Sequence, residues 1–391
     1  MRKSALTIIT VGVAAAMTVT GCSSSKKKAA TSVASSASSA VAGGGATTTA
    51  GSSAPAATSG KPVVGVVLPD TTTSNRYTLY DQPLLQKAFA AAGVKAVIQN
   101  AHGSATTFVS DAQTMITQGV KVLLIDPADP ATGISVEKLA KAAGVQVIDY
   151  DRVNLGGSAQ YYVSFDNYKV GVQQGTGLVN CLKATGKTKQ TIAILNGGTD
   201  IDNNAVLFKS GAASVLNPLF KNGTYKKGPE QDVKGWDNTV AATDFQQEFT
   251  QSPNIGGVLA ANDGIAAAAI GTLKQHKVVV PITGQDATIQ GLQYILQGEQ
   301  CLTIFKNVKL EAAAASKLAI DLAKGDTAGA KAIATGSLKD PKNGRTIPSL
   351  LLPAEVITKA NVEDVIKAGA LKATDICTGS IKALCTKAHI S

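Results

Sequence analysis

Nine short apolar runs in this 391-residue chain end in side chains able to hold a polar ligand. Leu68 runs into Pro69-Asp70 and on to Arg76, Ile98 into Gln99-Asn100, and Ile125 into Asp126. Tyr150 precedes Asp151-Arg152, and Phe165 precedes Asp166-Asn167. Leu195 leads to Asn196 and then to Asp202-Asn203-Asn204, and Ala260 to Asn262-Asp263. Ile282 leads to Gln285-Asp286, and Phe305 to Lys306. Any one of these could be an ordinary loop cap; nine together read as a lining. Carboxylates, amides, guanidinium groups and an ammonium in one place suit an uncharged, polyhydroxylated ligand, because each hydroxyl both donates and accepts.

The segments that carry these ends repeat. Val63–Leu68 has the look of a strand buried on both faces. A helix with Leu84, Leu85, Ala88, Phe89 and Ala92 on one side follows, stopped at Gly93, and Val94–Ile98 is the next strand. Helices ending at Gly119 and Gly144 repeat the unit 26 and 25 residues later, each leading into a strand, Val120–Ile125 and Val145–Tyr150. Beyond Tyr161–Asn167 a second set appears: Thr191–Leu195, Gly257–Ala260, Val278–Ile282 and Cys301–Phe305, separated by helical stretches. Strands alternating with helices predict an α/β protein of two doubly wound, parallel-sheet lobes. The roughly 330 residues after residue 60 also exceed one compact core. In such sheets ligands bind at the carboxyl ends of the strands, where the nine polar ends lie.

The amino terminus assigns a compartment. Arg2 and Lys3 precede an apolar stretch, Ala5–Val19, too short for a convincing transmembrane helix. It ends in Val19-Thr20-Gly21-Cys22, which looks like a bacterial lipobox, with Cys22 acylated at the mature terminus. From Ser23 to about Gly60 the chain is nearly all Ser, Ala, Gly, Thr and Lys, a composition that stays disordered and spans roughly 30–35 Å as a tether. Losing Arg2 and Lys3 takes the 37 basic residues to 35, against 27 acidic. Those charges are scattered, without the clustering that nucleic-acid binding needs. The four remaining cysteines favour disulfides outside the cytoplasm. Cys377 and Cys385 are close enough to bridge a short turn, and Cys181 and Cys301 share the second set of strands. With three His and none in a ligand pattern beside a Cys, neither a metal site nor a cofactor is expected.

Taken in order, Tyr150-Asp151-Arg152, Ser164-Phe165-Asp166-Asn167, Asp202-Asn203-Asn204-Ala205, Gly235-Trp236, Ala261-Asn262-Asp263, Gly284-Gln285-Asp286-Ala287 and Thr303-Ile304-Phe305-Lys306 carry a resemblance. From about Val63 to about Lys324 the chain resembles the type I periplasmic binding proteins of bacterial ABC sugar importers, and among them the xylose binders. The resemblance implies sugar contacts at Arg76, Asp151, Arg152, Asn204, Trp236, Asn262, Asp286 and Lys306. Tyr77 stands where the family usually has Trp. It also implies three crossings between lobes, near Asn167, after Lys306 and near Arg345. The implied organisation is a signal peptide at 1–21 and a lipid-anchored tether at 22–60. A first lobe then comprises 61–166 plus 307–345, and a second 167–306 plus 346–391.

The resemblance therefore implies a monomeric receptor, held to the bilayer through Cys22, that passes a monosaccharide such as D-xylose to an ABC permease. A sugar or small-polyol sensor signalling through a membrane receptor is the alternative. An enzyme is not expected. Leu195-Asn196-Gly197-Gly198 lacks the spacing of either glycine-rich phosphate fingerprint, and no nucleophile elbow is present. Asp151 and Asp286 as an acid/base pair would need one protonated member, which neighbouring Arg76, Arg152 and Lys306 oppose.

Overall fold

The computed structural model describes residues 63–71, 74 and 76–390. The signal peptide, Cys22 and the tether lie outside the described residues. The chain first builds β1 (Val64–Leu68), α1 (Gln82–Ala91), β2 (Ala96–Asn100), α2 (Ala105–Gln118) and β3 (Val122–Ile125). Next come α3 (Pro130–Ala142), β4 (Gln146–Tyr150) and β5 (Tyr161–Phe165). After Asp166 the second lobe follows: α4 (Asn167–Ala184), β6 (Thr191–Asn196), α5 (Asn203–Lys221), β7 (Lys226–Asp232), α6 (Asn238–Gln251) and β8 (Ile255–Ala260). It continues through α7 (Asp263–Gln275), α8 (Ile289–Gln297) and β9 (Thr303–Phe305). The chain then returns with α9 (Val308–Lys324), α10 (Thr327–Ile333), β10 (Gly336–Lys339) and β11 (Thr346–Leu352), before β12 (Glu355–Ile357).

The first-lobe sheet runs β10-β11-β5-β4-β3-β1-β2, parallel except for β10 against β11. Its strands are apolar throughout because both faces are covered. Val64, Val66 and Leu68 pack with Leu85 and Phe89 of α1 and Leu318 of α9. Val67, Leu123 and Ile125 pack with Phe108, Met115 and Val136 of α2 and α3 on the other side. Ser104 and Asp129 cap α2 and α3 by accepting from the backbone N–H of Thr107 and Thr132. Gly119 ends α2 in the left-handed region at φ 90°.

The second-lobe sheet has β6 between β7 and β8, all parallel. Two expectations are corrected here. Val278–Ile282 is not a full strand; it contributes one bridge, Val258 to Ile282, because Val279 is exposed and the segment leaves the sheet at once. The third crossing is not near Arg345. Thr346–Leu352 pairs in parallel with β5 of the first lobe, so 346–352 belongs there, and the chain crosses between Leu352 and Glu355. The tripeptide β12 then pairs with β9. Beyond it, Val365, Leu371, Ile376 and Cys385 bury against Leu292 and Ile295 of α8. The other two crossings fall at Asp166–Asn167 and at Lys306–Asn307.

Both cysteine pairs are bridged. Cys181 at the end of α4 joins Cys301 before β9 with 6.4 Å between Cα atoms, and Cys377 joins Cys385 across 5.9 Å. No described helix is long and apolar enough to cross a membrane.

Candidate functional site

At the carboxyl ends of both sheets Arg76, Tyr77, Asp151, Arg152, Asn204, Trp236, Asn262, Asp286 and Lys306 line one cavity. It is small, about 30 Å³, against the roughly 300 Å³ or more of a ligand-sized pocket. The lobes therefore stand closed on their own side chains.

The first-lobe wall is an ionic cluster. Arg76, on the turn entering α1, gives Nε and Nη2 to the two carboxylate oxygens of Asp81 at 2.9 and 2.8 Å. Nη2 also reaches Glu311 of α9, and Nη1 donates to Asp151 at 3.0 Å. Among the described residues these bonds leave one Nη1 hydrogen uncommitted. The Tyr77 hydroxyl donates to the other Asp151 oxygen at 3.0 Å, and its ring lies 5.5 and 5.9 Å from the Arg76 and Arg152 guanidinium carbons. Tyrosine at this position thus supplies a hydroxyl donor to the carboxylate. Burial works against the charged form of Asp151, yet Arg76, Lys306 and Arg152 hold its carboxyl below the usual range.

One arginine cannot neutralise three carboxylates. Burial, with Asp151 and Asp81 adding and Arg76 opposing, pushes Glu311 up to about 8. Glu311 therefore holds a proton in the folded protein at neutral pH that it would release in the unfolded chain. Between about pH 5 and 8 the folded state binds more protons at this site, so stability from it falls as pH rises. Glu311→Gln is expected to flatten that fall, measured as urea midpoints at pH 5.5 and 8; an unchanged slope would contradict the assignment.

The backbone at Asp151 sits at φ 58°, a conformation costly for a non-glycine residue. Its carbonyl accepts from Tyr162 Oη (3.0 Å), Ser164 Oγ (2.8 Å) and Asn204 Nδ2 (2.9 Å), which hold it there. Asn204 comes from the other lobe, and its Oδ1 accepts from Asn167 Nδ2 at 2.8 Å. Its amide thus latches the lobes together in this closed form. Arg152 makes a second link, with Nε 3.8 Å from Asp126 in its own lobe and 3.6 Å from Asp202 in the other.

The second-lobe wall depends on helix entrances. Asn262 caps α7 through Oδ1, which accepts from Ile265 N–H at 2.9 Å, leaving its Nδ2 side for the cavity. Lys306 lies 3.3 Å from Asp286 and 5.9 and 5.7 Å from the ring centroids of Phe165 and Phe208. Trp236 lies over Gly197 and Gly198, where any Cβ would strike the indole. That contact is the reason for the paired glycines, which no phosphate motif explained.

Asp202, Phe208 and Gln285 also line the cavity; Asp202 and Gln285 stand among the polar strand ends, but none of the three was among the contacts the resemblance implied. One oxygen of Asp202 caps α5 by accepting from Asn204 N–H at 2.8 Å. The other accepts from Trp236 Nε1 at 3.2 Å and faces Arg152. The place of Asp202 among the polar strand ends, two residues before Asn204, is the signal that could have marked it as a contact. Among the described residues no three His, Cys, Asp or Glu side chains group to hold a metal ion.

The model of the periplasmic binding protein domain matches residues 64–327 of this chain. The chain is a type I periplasmic binding protein. Its relatives bind solutes and are not enzymes. This binding protein is 34% identical over 300 residues to the D-xylose-binding periplasmic protein of Escherichia coli, covering 76% of this chain and 87% of that one. It is 31% identical over 333 residues to the multiple sugar-binding periplasmic receptor ChvE of Rhizobium radiobacter, covering 81% and 92%. Among solved structures, a carbohydrate transporter solute-binding protein of Chloroflexus aurantiacus, in complex with D-glucose, superposes with TM-score 0.72 at 29% identity. That match covers 80% of this binding protein and 98% of the other.

Proposed function

We propose that this binding protein takes a monosaccharide, D-xylose or a close relative of it, between its lobes and delivers it to an ABC permease. The observation that carries the reading is the single cavity that gathers nine side chains from two lobes, with donors and acceptors mixed. A ring of hydroxyls can pair with Asp151, Arg152, Asn262, Asp286 and Lys306 together, while the indole of Trp236 packs on its C–H face. The carboxylates of Asp151 and Asp286 accept, and the cationic groups and amides donate. A ligand touching both walls gains its full contact energy only when the lobes close on it, so it shifts the population toward the closed form. Direct contacts across the cleft, Asn204 to Asp151 and Arg152 to Asp202, support a closed form that is already low in energy. The names of the xylose-binding relative and of the glucose-bound structure support the same class of ligand. Calorimetric titration against xylose, glucose, galactose and ribose tests it. Saturable one-site binding of at least one is expected, and no heat with any would contradict the reading.

The mature protein acts, on this reading, as a monomer held at the membrane surface by a lipid on Cys22. The support is the sequence Val19-Thr20-Gly21-Cys22 followed by a polar tether. Wild-type cells should incorporate labelled palmitate into the protein and Cys22→Ala cells should not; equal labelling, or none in either, would remove the anchor.

A further inference from the structure

A second, larger cavity of about 580 Å³ lies back to back with the sugar cavity. Arg76, Asp286 and Lys306 stand in the walls of both, so the Lys306–Asp286 pair forms the seam between them. Away from that seam the wall turns apolar. Leu79, Tyr80 and Leu84 face it from the first lobe, and Ile289, Val365 and Leu371 from the second. Leu79 is 56% exposed, a large apolar side chain left uncovered beside a polar site. Lys87 and Lys309 share the wall and disfavour a cationic occupant.

We infer that the receptor accepts sugars bearing an apolar substituent, with the ring in the polar cavity and the substituent in the apolar one. The inference rests on the sugar-binding reading and deepens it. A hydroxyl pairing with Asp286 or Lys306 sits at the seam, and a group attached through that oxygen leads directly into the larger space. A bare monosaccharide fills only the polar side. An aryl glycoside also covers Leu79, Leu84 and Ile289, and that apolar burial adds to affinity in proportion to the area removed from water. The larger cavity draws its wall from both lobes, so the substituent adds to the driving force for closure.

The test is calorimetric titration of the intact protein with xylose and glucose, and with the methyl and 4-nitrophenyl glycosides of each in both anomers. At least one aryl glycoside is expected to bind about tenfold or more tighter than its methyl counterpart. Leu79→Asp should abolish that advantage and leave the free sugar's affinity unchanged. If a free sugar binds but no aryl glycoside exceeds its methyl counterpart, the inference fails and the sugar reading stands. An aryl advantage that survives Leu79→Asp also overturns it. If none of xylose, glucose, galactose and ribose binds, the sugar reading falls and takes this inference with it.

Discussion

Asp286→Ala is expected to weaken sugar binding by a factor of thirty to several thousand, the loss of about 2–5 kcal/mol that follows when a buried charge is left unpaired. The reason lies in Lys306, which is 6% exposed and pairs with Asp286 at 3.3 Å. Asp286 itself occupies a backbone position at φ 91°, so its side chain is aimed by a strained turn rather than by a helix or strand. Asp286→Asn keeps the shape and some hydrogen bonding, and should fall between Ala and wild type. Binding within threefold of wild type in the Ala variant would mean that the pair does not face the ligand.

The second large effect concerns stability. Replacing Cys181 and Cys301 together by Ala opens a bridge between residues 120 positions apart. In the chain-entropy account, closing a loop that long stabilises by about 5 kcal/mol, against about 2.5 for one of eight residues. The Cys377–Cys385 bridge spans only that shorter separation. Loss of the long bridge should therefore lower the urea midpoint clearly more than loss of the short one. The long bridge also ties α4, which starts at the first crossing, to the segment that enters β9 just before the second. Equal midpoints for the two double variants would contradict this ranking.

Much of this arrangement was legible in the sequence because parallel strands covered on both faces read as unbroken apolar runs. Val64–Leu68 and Val122–Ile125 are buried at every position, so their ends, and the polar residues just beyond, could be found by eye. β7 could not. Its residues, Lys-Lys-Gly-Pro-Glu-Gln-Asp, form the edge of the second sheet, where no apolar face is required and proline is tolerated. Val278–Ile282 misled in the other direction, being apolar yet joined to the sheet by one bridge. The last crossing was misplaced because Thr346–Leu352 carries no polar end like the others; its partner strand β5, far away in sequence, decides its lobe. The nine expected contacts converge on one cavity, but their division of labour was hidden. Asn204 latches the lobes and Arg76 gathers three acidic side chains, roles that depend on neighbours distant in sequence such as Glu311 and Asp151.

Trp236 offers the most direct test of the central claim. It is the one tryptophan in the chain, lies in the cavity wall and is hydrogen-bonded to Asp202. Its fluorescence, followed during titration with xylose and glucose, should change saturably with at least one sugar, and Arg152→Ala should abolish the change. An emission spectrum that neither sugar alters in the wild-type protein would contradict a sugar site at this cleft.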